Sequence, residues 1–136
     1  MAIFQNTVVN KYLNNQNEQV ISEKWNIYKT HFFDPEVQEN IRDSKEEEYQ
    51  EGFMRDLFVN VLGYTLKPKD NYNLVLEKKN VKDSKKADAA ITIDNKIFGV
   101  IELKGTYVTD LTNVETQAFG YKNNHTKDCI YVITSL

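Results

Sequence analysis

Cysteine, proline and glycine are scarce, with one, two and five copies in 136 residues. The lone Cys129 excludes a disulfide framework and a thiolate metal site, and its place in the apolar run CIYVI marks it as core. The two histidines, His31 and His125, lack the spacing of a metal-binding pair. No serine sits in a nucleophile motif and no Gly-rich loop is present to cradle phosphates, which argues against NTP hydrolysis. No apolar run approaches the roughly 20 residues needed to cross a bilayer, and residues 1–13 lack the charged start and apolar centre of a signal peptide. A cytoplasmic protein with no membrane partner is expected.

Excess positive charge is missing as well. A net charge of -3 argues against a strong, non-specific nucleic-acid binder, because such affinity comes from lysines and arginines that displace counterions. The two halves differ, however: residues 1–66 hold 6 basic and 11 acidic side chains, and residues 67–136 hold 11 basic and 9 acidic. What is present is a hydrophobic content of 40 % with eight Tyr and seven Phe, enough for one globular domain with a sizeable core.

Residues 1–45 show no strand alternation. Their apolar positions, Val8, Val9, Tyr12, Leu13 and then Ile21, Trp25, Tyr28, Phe32, recur at helical spacing. In DPEVQENI, Asp34 is expected to cap a helix with Pro35 at its first position. The acid-rich EEEYQEGFMRDLFVNVLGY predicts a helix over 45–62, stopped by Gly63 in a left-handed conformation. After Pro68 the period changes: YNLVLEKK alternates as a strand and leads into a lysine-rich loop over 79–86. Strands over 87–93 and 97–104 follow, separated by DNK, which is hairpin chemistry. Thr112 and Glu115 form a capping-box pattern that predicts a helix running to about Asn123, and DCIYVITSL reads as a buried final strand. The expected class is α/β, with a helical segment over 1–44 and a core over 45–136. The chain stops after that strand, so we expect it to be the front end of something longer.

The strand pair carries charges where burial is expected. If DNK closes the hairpin on Asn95, residues whose numbers sum to 190 face each other, which sets Asp88 opposite Glu102. Their β-carbons would then be about 5 Å apart, and Lys104 points to the same side as Glu102 by the period of two. Adjacent carboxylates repel unless a cation sits between them. Hard oxygen ligands favour Mg²⁺ or Mn²⁺, which can polarise a phosphodiester and acidify a bound water. Lys104 would orient or deprotonate that water, or neutralise charge at phosphorus. The same charges also suit the solvated face of an antiparallel sheet, where ion pairs contribute little.

The element order together with KADAAI and GVIELKG resembles the PD-(D/E)XK nuclease superfamily over residues 45–136. That resemblance implies a restriction-endonuclease-like αβββαβ core in which Asp88 and Glu102 hold the metal and Lys104 is catalytic. Ala87 stands where the family's name has proline, and the main-chain carbonyl of Leu103 is implied as a further ligand. A glutamate from the first helix often joins the site. Glu51 is the choice because it continues the stripe of Met54, Phe58 and Val61; Glu47 lies one turn earlier on that stripe, and Glu46 and Glu48 read as a solvated helix start. Gln117 and Tyr121, one turn apart in QAFGY, match a Q-x-x-x-Y element of restriction subunits and recombination exonucleases that arranges DNA or the lysine.

YQEGFMRDLFVNVLGYTL, NLVLEKKN and TQAFGYKNN look most like the amino-terminal nuclease part of Type IIG restriction-modification enzymes. This implies double-stranded DNA as substrate, with methyltransferase and specificity domains in the same parent chain. Weak or no activity is expected of the 136 residues alone. The front of a Type I restriction subunit, an exonuclease and a non-catalytic interaction domain with a nuclease-like core stay open. The lysines of KKNVKDSKK either contact phosphates or form an exposed connection.

Overall fold

A computed structural model of the chain describes residues 5–79, 85–105, 107, 108 and 110–135. It is a mixed α/β structure of five α-helices and a four-stranded mixed sheet. The helical front is α1 Asn6–Leu13, α2 Glu18–Phe32 and α3 Pro35–Asp43. Asp34 caps α3 as its sequence predicts, its Oδ1 accepting from the amides of Glu36 and Val37 at 2.8 and 3.2 Å. Asn17 caps α2 in the same way. No helix among the described residues is long and apolar enough to cross a membrane.

The expected helix over 45–62 has two parts. Residues Glu46–Phe53 form the α-helix α4, and the chain continues as a wider π-helix over Met54–Val61. Gly63, at φ +81°, then reverses the chain, a conformation in which a β-carbon would crowd the following carbonyl. Met54 and Phe58 are buried and join Leu66, Leu74, Ala89, Ile91, Ile101 and Leu103 in one cluster on this side of the sheet. The helical front is tied to the π-helical stretch by polar contacts too. Lys24 Nζ donates to the Asn60 carbonyl at 2.6 Å. Asp56 accepts from Tyr49 Oη at 3.3 Å and lies 3.0 Å from His31 Nε2. Burial, reinforced by the Asp56 charge and its hydrogen bond, pushes the Tyr49 phenol up to about 12.

Strands β1 Leu74–Lys79, β2 Lys86–Ile93, β3 Lys96–Leu103 and β4 Tyr131–Ser135 lie in sequence order across the sheet. The first three are antiparallel and β4 is parallel to β3. A parallel pair needs a crossover, and α5 Leu111–Asn123 supplies it. Its cap corrects the sequence expectation: Asp110, not Thr112, is the N-cap, with Oδ1 accepting from the Thr112 amide at 2.9 Å. Tyr121 of α5 packs with Ala87, Val100 and the buried Cys129 in a second cluster on the other side of the sheet. Burial raises the Cys129 thiol above its ordinary range, in keeping with a core role.

The hairpin departs from the sequence reading at its tip and meets it further in. Its turn has two residues, not three: Ile93 pairs with Lys96, and Asp94 and Asn95 take φ of 48° and 63°. Both positive angles belong to the turn that matches strand twist. Residues near the turn therefore sum to 189. An irregularity between Ile91 and Thr92 leaves Phe98 without an opposite number, and the sum becomes 190 for Ala89 with Ile101 and Ala90 with Val100. A bulge of one residue thus restores the register that aligns the two acids. Asn95→Gly should stabilise the chain by about 0.5 kcal/mol, since glycine takes the left-handed region without a β-carbon clash. A higher urea midpoint at unchanged slope checks it.

Alternation also lapses at Asp88. Ala89 and Ile91 belong to the α4-side cluster, whereas Ala87, two residues before Ala89, belongs to the α5-side cluster. The lapse lies opposite Glu77, which holds φ at +47° within β1. Of the lysine-rich loop, Lys82 and Asp83 lie outside the described residues. Lys86 is exposed and pairs with Glu77 at 3.2 Å.

Candidate active site

The ends of β2 and β3 meet the start of α4 and the middle of α5, and charged or polar side chains from all four converge there. Glu102 is the most enclosed, only 2 % exposed. Its Oε1 accepts from Lys104 Nζ at 2.8 Å and from Gln117 Nε2 at 2.7 Å. Gln117 Nε2 also donates to Tyr121 Oη at 2.9 Å, so the one-turn spacing of Gln117 and Tyr121 makes a physical pair. Asp88 reaches the cluster through the backbone: its Oδ2 accepts from the Leu103 amide at 2.7 Å.

The helix glutamate is not the expected one. Glu51 is 64 % exposed and forms an i,i+4 pair with Arg55 at 2.7 Å, a surface contact worth a few tenths of a kcal/mol. Glu47 and Glu48 are exposed too, and Glu48 Oε2 accepts from the Lys45 amide. Glu46 is the one that turns inward. Its Oε2 accepts from the Gly105 amide at 2.8 Å and its Oε1 lies 3.6 Å from Lys104 Nζ. Gln50, one turn on, lies close enough to Asp88 to favour its charged form. The signal for both was a row of strict spacing four, Glu46, Gln50, Met54, Phe58, which is one ridge of a helix surface. Glu51 joins that row only through a step of three to Met54.

Burial dominates the electrostatics. It raises the Asp88 carboxyl above its usual value, against the lowering effects of the Leu103 amide, Lys104 and Gln50; Glu46 adds repulsion. Burial likewise raises Glu102, with Lys104 opposing and the negative charge of Asp88 adding to the rise. For Lys104, burial alone would lower the ammonium's pKa, but Glu102, Glu46 and Asp88 together outweigh it and hold the group more firmly protonated. Three carboxylates face one ammonium, so the ionised cluster carries two uncompensated negative charges and attracts cations.

Among the described residues, no group of three or more His, Cys, Asp or Glu gathers into a metal cage. The donor set nevertheless fits a small hard cation. Glu102 Oε2 is buried with no hydrogen-bond partner, whereas an acceptor in that position is ordinarily satisfied. Mg²⁺ commonly takes one or two carboxylates, completing its shell with water and substrate phosphate. No family model, curated protein or solved structure matches the chain.

Alanine substitution separates the two helix glutamates. Glu46→Ala frees the Gly105 amide and removes a partner of Lys104, so we expect a loss of about 2 kcal/mol, typical for a charged acceptor. Glu51→Ala should change stability by about 0.3 kcal/mol. Urea denaturation of both variants gives the comparison.

Proposed function

We propose that the chain is a Mg²⁺-dependent endodeoxyribonuclease domain of the PD-(D/E)XK type, the cleavage part of a Type IIG restriction-modification enzyme. Double-stranded DNA would be the substrate, and methyltransferase and specificity domains of the same polypeptide would be the partners. The observation that carries this reading is Glu102: a buried carboxylate with one oxygen saturated by Lys104 and Gln117 and the other unpartnered, beside Asp88. The order helix, three antiparallel strands, helix, parallel strand supports it. So does the meeting of Gln117 and Tyr121 behind Glu102.

In this reading Asp88 and Glu102 would hold the cation, with the Leu103 carbonyl as a further donor. When bound, Mg²⁺ or Mn²⁺ supplies Lewis acidity toward the phosphodiester and an acidified water. Gln117 fixes the carboxylate plane of Glu102, and Tyr121 fixes Gln117. The Leu103 amide fixes Asp88, and Gln50 favours its charged form. Lys104 is held as a cation by its three acidic neighbours, which favours charge neutralisation at the phosphate over proton abstraction. Glu46 takes the auxiliary place that sequence spacing gave to Glu51, because it braces both Lys104 and the Gly105 amide.

The test is conversion of supercoiled plasmid to nicked or linear DNA by the chain in excess over its substrate. Mg²⁺ or Mn²⁺ should support it and EDTA should stop it. Plasmid left intact by folded protein that also fails to bind Mn²⁺ would reject the proposal.

A further inference from the structure

A cavity of about 210 Å³ opens beside Lys104, walled by Phe32 of α2, Ile41 of α3, and Tyr49 and Phe53 of α4, with Lys104 and Gly105 at its sheet end. Its walls are mainly apolar and include three aromatic rings. The helical front therefore does more than cover α4: without Phe32 and Ile41 the cavity would lose its outer wall. An apolar cavity of roughly 150 Å³ is enough to take a benzene ring. The space here suits one nucleobase and is too small for a base pair.

We propose that this cavity receives a single nucleobase turned out of the DNA stack beside the scissile phosphate, so that the duplex is locally opened at the cut. The inference rests on the hydrolytic reading for the position of the phosphate, next to Lys104. Three features support a base as the occupant. The cavity shares Lys104, Gly105 and Glu46 with the candidate centre, so a nucleotide with its phosphate there has its base within reach of the rings. Bases stack on aromatic side chains whatever their identity. Enzymes that act on an extruded base hold it in a pocket between aromatic and apolar side chains. Lys104 is only 17 % exposed, so a phosphate that reaches it has left bulk water.

The test uses the intact chain with Mg²⁺ and two probes that contain no diester to cut, 2′-deoxyadenosine 5′-monophosphate and 2-deoxyribose 5-phosphate. The nucleotide should bind about tenfold or more tightly than the sugar phosphate. It should also shift the methyl NMR signals of Ile41 and Leu103 through its ring current, which the sugar phosphate should not do. Ser44→Phe, on the cavity wall, should erase the preference while leaving the circular dichroism spectrum unchanged. Equal affinities, or methyl signals that do not move in the wild-type chain, overturn the inference, and neither result needs a variant to fold. Plasmid cleavage without base preference removes the base site and leaves the hydrolytic reading standing. Base preference without cleavage does the reverse.

Discussion

Lys104→Ala is expected to lose about 3 kcal/mol of stability at neutral pH, the scale for removing one partner of a buried ion pair. The reason is Glu102, whose side chain is 3 % exposed and whose Oε1 takes the ammonium at 2.8 Å. Without Lys104 that charge keeps only the Gln117 amide, with Asp88 and Glu46 repelling it. Glu102 would then take up a proton more readily, so the deficit should shrink in acid. The double variant Lys104→Met with Glu102→Gln should recover most of the loss, because removing both charges leaves nothing unpaired. Urea denaturation of the wild type, Lys104→Met, Glu102→Gln and the double variant forms a cycle that reads the coupling directly. A Lys104→Ala chain as stable as wild type would mean that the pair is solvated.

Asp88→Asn should behave in the opposite way, gaining about 1 kcal/mol while cleavage falls by about 10³-fold. The gain follows from the direction of its shift. Burial raises the folded-state carboxyl above the ordinary 3.8, so the folded chain holds this proton more tightly than the unfolded chain does. The contribution to stability is complete below the ordinary value and is lost as pH rises through the raised one. Glu102, ordinarily 4.5, shifts in the same direction. The asparagine variant carries no such loss. Its advantage over wild type should therefore grow as pH rises from the ordinary carboxylate range toward neutrality and be absent in strong acid. Thermal midpoints of the two proteins at matched pH values measure the difference, and an advantage that is flat across pH would refute the assignment.

The two variants respond oppositely because the structure separates roles that look alike in the sequence. Period-two spacing was enough to bring Glu102 and Lys104 together, and period-four spacing was enough for Gln117 and Tyr121. Both rules act within one element, where backbone geometry decides which side chains meet. Asp88 was legible in register but not in orientation. The bulge at Phe98 sets the alignment that a three-residue turn was expected to set, and the lapse beside Glu77 lets Asp88 leave strict alternation. The choice among four glutamates of α4 was legible only in the spacing-four row that Glu46 heads, and not in the stripe of Met54, Phe58 and Val61 that pointed to Glu51. It depends on how the helix rolls against the sheet, and the π-helical stretch over Met54–Val61 changes that phase just beyond them. Asp110 was missed as a cap because a capping-box pattern two residues later matched in sequence.

The proposed function stands on Asp88 and Glu102 jointly holding one divalent cation. Calorimetric titration of the chain with Mn²⁺ at neutral pH tests it most directly, repeated on Asp88→Asn and Glu102→Gln. The account predicts one ion per wild-type chain and binding weakened about 10-fold to 100-fold or abolished in each variant. Undetectable binding in the wild type, or equal affinity in all three proteins, would contradict it.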